Sequence, residues 1–535
     1  MAQKNLSIIL NAQHIYIPLD HKNNESHFVG LFQSISGTYI PLLNMFESLE
    51  RDCVKFKISM VFSPSLCTML CDPVIQEKYI EWLDRRIAFG TQEMKRCEYS
   101  EPLLAAAKFF LAKAKQDRFD FTEKYEQNLI KHFSLYAAKG FLEILATAAT
   151  PIFLPYYADL PEAVNAQIET GLYAQKYFFG QSAQGFWLPY LGYTKGLENS
   201  LRAYGFQYTV LDSQGLLFSE TEPVNGLFTP VRCNNSLSVF GRDTENHITT
   251  GEGSFRSAGV YCNTQKDAGF ELSIEDLKAF GLSATARQAT GFCYWNNTAE
   301  SALKSKESGG NGRGIYDPQA AYSRAEADAL QFLQKKKSRM EAAEKEISVP
   351  QLSLVCAYKA DDIGTNWLEG AYWLETIIRS AADMGLVISN LSDLLPSDLK
   401  LQKIVPYPSA AYGYGYGENL LDSSNSWMMR YVRKATERMI DLAGRFPSDT
   451  GLKARLLNLG AREVLLAQSS EWANMIQEEN EPDYAEEFFK KCIASFTTVF
   501  DSLGSNTVST EWLTNLERKH SIFPWMNYRI FSRKK

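Results

Sequence analysis

Side chains able to move protons or grip flat rings gather in four short stretches of this chain, residues 11–16, 143–155, 187–193 and 358–370. They supply Asn11 and Gln13, then Glu143, then Trp187 and Tyr190, and last Lys359, Asp361, Trp367 and Glu369. The carboxylates could act as general acids or bases, the amides could bind hydroxyl groups, and the indoles and phenols could stack on planar or ring-shaped ligands. A fifth stretch alternates Tyr412, Tyr414 and Tyr416 with glycines. That pattern lets the backbone approach a ligand while ring faces project, and it equally suits tyrosines packed against neighbouring helices. Trp472 has the same two readings, ligand contact or core.

Other groups promise less. His14, His21 and His27 stand seven and six residues apart, which matches no usual metal-ligand spacing. His132, His247 and His520 are isolated, so no Ser/His/Asp set can be drawn from them. Neither metal nor cofactor is expected. The nine cysteines are scattered without a Cys-x-x-Cys pair and read as reduced, buried thiols. The cluster from Gly309 to Gly314 has no strand leading into it, which makes it a linker or lid rather than a phosphate cradle. Lys335, Lys336 and Lys337 read as the solvated end of a helix.

The four stretches need a scaffold that brings them together. Residues 6–10 are an apolar run ending at Asn11, and residues 55–62 alternate before Ser63-Pro64. Between them Tyr39, Leu42, Leu43, Phe46 and Leu49 keep helical spacing, giving strand, helix, strand, the unit of a parallel sheet. Helical spacing follows across 72–110, and strand-like runs at 141–146, 185–188, 207–211 and 352–358 are each followed by a loop or helix. A parallel barrel is the natural closure, and its chemistry belongs on the loops after the strands' C-terminal ends, where the four stretches fall. The expected organisation is a barrel's first part over 1–212, an insertion of loops and a few strands over 213–297, a linker and barrel completion over 298–407, and a helical C-terminal domain over 408–535. Asp317-Pro318 opens a long Ala-rich helix to about Arg339, and helical spacing recurs at 427–445, 452–476 and 483–503.

Composition narrows the partners. Lys+Arg against Asp+Glu is 55 against 62, a net charge of −7, which argues against a binder of nucleic-acid backbones. Aromatic residues make up 13% of the 535, more flat surface than a core needs, and carbohydrate is the stacking partner that tolerates an acidic protein. No run reaches the roughly 18 apolar residues of a membrane span, and the first residues lack a signal peptide's apolar region. The expected location is the cytoplasm.

At this point the motifs carry a resemblance. Gly185-Phe186-Trp187-Leu188-Pro189-Tyr190-Leu191-Gly192-Tyr193 is similar to the stretch Gly-x-Trp-Leu-Pro-Glu-Cys-Gly-Tyr of glycoside hydrolase family 57, nearest to its α-1,4-glucan branching enzymes. Pro230-Val231-Arg232 with Phe240-Gly241-Arg242-Asp243, Tyr316-Asp317-Pro318, Gly364 with Trp367, Glu369 and Gly370, and residues 461–472 resemble further family signatures in the same order. The family is a retaining one, and retaining transfer needs two carboxyl groups about 5 Å apart. The resemblance places its nucleophilic Glu on Tyr190 and its acid/base Asp on Lys359, with Asp361 on an inherited neighbouring acid. The family's His-Ala-His falls on Asn11-Ala12-Gln13, another His on Pro151, and Gly-His-Trp-Trp on Gly364-Thr365-Asn366-Trp367. Glu143 retains an acid, Tyr412 takes a Trp position on the acceptor side, and Ser-Asp-Trp becomes Ser470-Glu471-Trp472.

The resemblance implies an α/β fold, a distorted parallel (β/α)7 barrel with an insertion and a C-terminal helical domain. It implies a homologue with the catalytic pair replaced, which binds α-1,4-glucan or a related polysaccharide or scaffolds an active glucan enzyme. Asn11, Gln13, Glu143, Trp187, Tyr190, Lys359, Asp361, Trp367, Tyr412 and Trp472 would line the groove. The alternative keeps turnover, through relocated acids or through Tyr190 as nucleophile, as sialidases use a Tyr. A nearby Lys359 would favour the phenolate and draw an anionic substrate, with Asp361 or Glu143 carrying the proton.

Overall fold

Leu6, Ile8 and Leu10 face outward into the main apolar core while Ile9 faces inward into a second, smaller one. This is why the first strand reads as an unbroken apolar run: helices cover one face and a barrel interior the other. The computed structural model describes residues 2–19, 25–245, 254–282, 287–300, 314–395, 401–411, 415–505 and 507–533. Its strands are β1 (Gln3–Ala12), β2 (Ile58–Phe62), β3 (Leu142–Thr147), β4 (Gly185–Trp187), β5 (Tyr208–Leu211), β6 (Val231–Arg232), β7 (Ser238–Gly241), β8 (Gln351–Lys359) and β9 (Val387–Ile388).

The sheet runs β6-β7-β5-β4-β3-β2-β1-β8, with β9 beside β1. From β7 through β8 every pairing is parallel; β6 alone is antiparallel, to β7. Just past β7, Arg242 bridges Val355 of β8, and the Asp243 N–H donates to the Val355 carbonyl at 2.8 Å. That contact joins the two ends of the sheet into a distorted barrel of seven parallel strands. Ile9, Val61, Leu145, Trp187, Val210, Phe240 and Val355 fill its interior. Helices wrap the outside, and Pro161–Phe179 lies so close that a Cβ on Gly171 would stand 1.8 Å from the Thr147 carbonyl oxygen.

Two boundaries differ from the sequence-based expectation. β7 falls within 213–297, so that stretch is not wholly an insertion: it supplies a barrel strand. Four residues that include Ser238 and Gly241 are too short a run for periodicity to register. β9, beyond the expected last strand, is two residues long. The C-terminal region is helical, at Trp427–Arg445, Gly451–Ala467, Glu471–Gln477, Pro482–Ser505 and Thr510–Lys519.

The helix capped by Asp317 runs to Glu344, past Arg339, and this corrects the reading of its lysines. Lys336 is buried rather than solvated, with its ammonium 2.8 Å from Asp243 Oδ2. Arg339 pairs with the other oxygen of that carboxylate. The residue that helps close the barrel is thus neutralised by the helix outside it. Lys336→Met leaves Asp243 partly uncompensated in a dry site and is expected to cost about 3 kcal/mol. Lys337→Met, at a half-exposed position, is expected to stay within about 0.5 kcal/mol. Urea midpoints check both, and equal small effects would contradict the buried pair.

Glu369 anchors the turn after β8. It is fully buried, accepts the Cys262 N–H at 3.3 Å, and lies beside the Tyr316 phenol. Burial pushes its carboxyl from 4.5 up to about 7. Between those values the folded protein keeps a proton that the unfolded chain releases, so this group's stabilisation is complete below about pH 4.5 and lost as the pH rises through about 7. Comparing parent with Glu369→Gln by urea unfolding from pH 4.5 to 8 should expose a loss of stability in the parent that is larger by on the order of 3 kcal/mol over that range. Parallel curves would show that Glu369 ionises normally.

Candidate active site in the barrel mouth

Strand periodicity carries Asn11 and Lys359 inward at the C-terminal ends of β1 and β8, two residues beyond inward-facing Ile9 and Ala357. With Trp187, the last residue of β4, they line a cavity of about 350 Å³ at the barrel mouth. Gln13, Tyr190, Asp361, Asn366, Arg242, Ala411 and Glu471 complete its wall. Six of the expected residues, Asn11, Gln13, Trp187, Tyr190, Lys359 and Asp361, therefore meet in one pocket.

Tyr190 stands on a turn that few side chains accept. It and Leu191 both have left-handed backbones, with φ of 57° and 51°, each an unfavourable conformation for a residue with a Cβ. The turn is held by Leu191 N–H to the Leu188 carbonyl at 2.9 Å and by Gly192 N–H to the Pro189 carbonyl at 3.0 Å. From the facing segment, the Ala411 N–H donates to the Tyr190 carbonyl at 2.9 Å. The phenol then donates to Glu471 Oε1 at 2.5 Å. Gln13 Nε2 donates to the same oxygen at 2.9 Å.

Glu471 arrives from the helical region. The Ser470 N–H donates to the Pro151 carbonyl at 2.8 Å, and the Phe153 N–H to Ser470 Oγ at 2.9 Å, hooking this helix start onto the loop after β3. On another wall, Asp361 Oδ1 accepts Thr38 Oγ1 at 2.8 Å and Thr365 Oγ1 at 3.2 Å. Arg242 is held by Asp212, with Nη2 to Oδ2 at 2.6 Å. Lys359 is exposed and forms no ion pair among the described residues. Trp187 is 6% exposed, and its buried indole N–H has no hydrogen-bond partner among them.

The other expected positions lie elsewhere. Glu143 is the second residue of β3, so although it shares the interior face with Leu145 it sits at the far end of the barrel from the mouth, where it accepts Ser59 Oγ at 3.3 Å and the Ser392 N–H at 3.4 Å. Trp367 is buried against Trp373 and Tyr261, at ring separations of 5.4 and 5.3 Å, and touches a side cavity instead. Trp472 is core: its indole donates to the Leu466 carbonyl at 2.8 Å and its ring lies 4.7 Å from Phe488. Tyr412, most of the Gly309–Gly314 cluster, His21 and His247 lie outside the described residues. Sequence reasoning missed Glu471, although it stands beside the favoured Trp472, and Arg242, which lay within a quoted signature. Acid and base types pointed to both, and only the fold shows which neighbour faces the cavity.

Elsewhere the chemistry is self-contained. A larger cavity of about 600 Å³ touches the same Asn366. Its Arg86 is used by Asp117 and by the Thr290 and Gly291 carbonyls, and its Asp267 accepts the Gly269, Thr290 and Gly291 N–H groups. His27 lies 2.7 Å from Glu481, and His520, far from isolated, is buried 2.6 Å from Glu463. Burial lowers the pKa of His14. All nine cysteines are free, with Cys53 and Cys71 exposed rather than buried. Among the described residues no group of three or more His, Cys, Asp or Glu could hold a metal ion, and no helix is long and apolar enough to cross a membrane.

Comparisons with known proteins agree with this architecture. The 1,4-α-glucan branching enzyme of Thermococcus kodakarensis is 24% identical over 502 residues, covering 88% of this chain and 70% of its own length. A probable 1,4-α-glucan branching enzyme of Mycobacterium tuberculosis is 20% identical over 487 residues, 85% of this chain and 84% of its own. Among solved structures, the α-amylase AmyC of Thermotoga maritima superposes with a TM-score of 0.89 and 28% identity over the whole of both chains. The branching enzyme of Pyrococcus horikoshii gives 0.85 and 21%, over 99% of this chain and 97% of its own. With residues 10–257 matching the glycosyl hydrolase family 57 domain and residues 431–531 the C-terminal domain of 1,4-α-glucan branching enzymes, the chain belongs to glycoside hydrolase family 57.

Proposed function

We propose that this protein binds α-1,4-glucan or a related polysaccharide in the barrel mouth without the two-carboxyl chemistry of its family, alone or as a scaffold for an active glucan enzyme. The observation that carries the reading is the pairing of a built pocket with changed reagents. Trp187 gives the cavity an aromatic wall against which a sugar ring can pack. The positions aligned with the attacking and proton-donating acids hold the phenol of Tyr190 and the ammonium of Lys359. A neutral phenol is a weaker nucleophile toward an anomeric centre than a carboxylate, and an ammonium does not replace a carboxylic acid that protonates a leaving oxygen and then takes a proton from water.

One observation favours a second reading. The 2.5 Å hydrogen bond from Tyr190 to Glu471 has the form of an oxygen nucleophile against its general base. In that chemistry the Tyr190 oxygen bonds to the anomeric carbon as its proton passes to Glu471. The glycosidic C–O bond breaks as protonated Asp361 gives its proton to the leaving oxygen. Water then attacks the anomeric carbon as Asp361 takes its proton, the C–O bond to Tyr190 breaks, and Glu471 returns its proton to the phenol.

Titration calorimetry with maltoheptaose, beside an assay for new reducing ends and branch points on amylose, separates the readings. Binding without turnover is expected, with affinity reduced about tenfold in Trp187→Ala, and transfer appearing in Tyr190→Glu with Lys359→Asp. Turnover by the parent that vanishes in Tyr190→Phe would replace the first reading with the second, and absence of binding would end both for α-glucan.

A further inference from the structure

We propose that Phe218 and Tyr407 form an outer stacking platform that carries the same glucan chain beyond the barrel mouth; this rests on the glucan-binding reading above. The two rings are 64% and 52% exposed, meet nearly edge to face at 74°, and have centroids 6.1 Å apart. Aromatic rings left this bare forgo burial worth about 1.5–3 kcal/mol each, and a paired exposure is the kind that marks a contact surface.

The platform is tied to the pocket along two routes. Tyr407 donates its N–H to the Gly215 carbonyl at 2.9 Å, Ser409 exchanges backbone hydrogen bonds with Tyr193, and Ala411 of the same segment reaches the Tyr190 carbonyl and lines the cavity. Ala411 is four positions beyond Tyr407, a reach of at most about 14 Å. The segment lies so close to Gly215 that a Cβ there would stand 2.5 Å from Ser409 Oγ. On the other route, Asp212, which holds the pocket's Arg242, caps the helix Ser213–Leu217 that ends at Phe218.

The surroundings favour sugar. Glu220, Thr221 and Glu222, which follow Phe218 closely in the chain, are exposed and supply acceptors for hydroxyl groups. Leu217 and Val224 of the same stretch of chain are also exposed, which makes self-association the competing occupant.

The full-length chain tests this with maltotriose, too short to leave the pocket, and glycogen. Phe218→Ala with Tyr407→Ala is expected to weaken glycogen binding about tenfold while maltotriose affinity and thermal stability stay at parental values. Phe218→Tyr with Tyr407→Phe, which keeps the rings, should bind as the parent does. Undiminished glycogen affinity in the double Ala variant overturns the platform and leaves the pocket reading intact, as does an equal loss for maltotriose. Concentration-dependent dimerisation of the parent that the double Ala variant abolishes assigns the patch to a second copy and also overturns it. A parent that binds neither sugar overturns both proposals.

Discussion

One carboxylate oxygen, Glu471 Oε1, is the acceptor on which the pocket converges. Gln13 reaches it from the loop after β1 and Tyr190 from the turn after β4, while Glu471 itself is delivered by the helical region. Three elements distant in sequence therefore share one charged acceptor, and hydrogen bonds to an ionised group are the stronger kind. Without that convergence the barrel mouth would be a ring of loops, each free to settle separately. The clamp at Pro151, Phe153 and Ser470 serves the same end, since it fixes where the helix that bears Glu471 begins.

The same interaction gives the Tyr190 phenol a carboxylate acceptor inside the pocket. Two carboxylates pressed together in a partly dry site would repel, and one would take up a proton. A phenol at residue 190 removes that conflict by donating a proton toward Glu471. Lys359 stands in a pocket whose wall holds the carboxylates of Asp361 and Glu471 and the guanidinium of Arg242, which is itself paired with Asp212. The pocket is electrically mixed, with its acids tied by neutral donors: Gln13 and Tyr190 on one, Thr38 and Thr365 on the other. Such a wall suits a neutral polyhydroxylated ligand, whose hydroxyl groups both donate and accept.

How much of this was legible follows from the range of each signal. The apolar runs at β1, β2, β3, β5 and β8 announce a parallel barrel because burial on both faces leaves a mark that is local in sequence. β7 left no such mark, for its four residues are buried by partners brought from elsewhere. Glu143 shows a different limit: its type and strand were readable, but which end of the barrel it occupies depends on strand direction and on where the strand starts. With Lys336, burial was invisible because its partner, Asp243, lies on the far side of an insertion. Glu471 and Trp472 differ by one residue, and on a helix start one residue turns a side chain about 100°; one faces the sugar-sized cavity and the other the core.

Backbone strain gives the last step. Two successive left-handed residues with side chains cost on the order of 1–3 kcal/mol each and persist only where the surroundings over-determine them. Here the surroundings do: Leu188, Pro189 and Ala411 hold the backbone of the turn, Gly192 admits the Phe153 ring where a Cβ would stand 2.6 Å away, and Glu471 holds the Tyr190 side chain. Leu191, the second of the two, is buried in the barrel's inner apolar cluster although β4 ends at Trp187. The strained turn thus does two things at once: it aims the residue 190 side chain into the cavity and packs Leu191 onto the strands beneath.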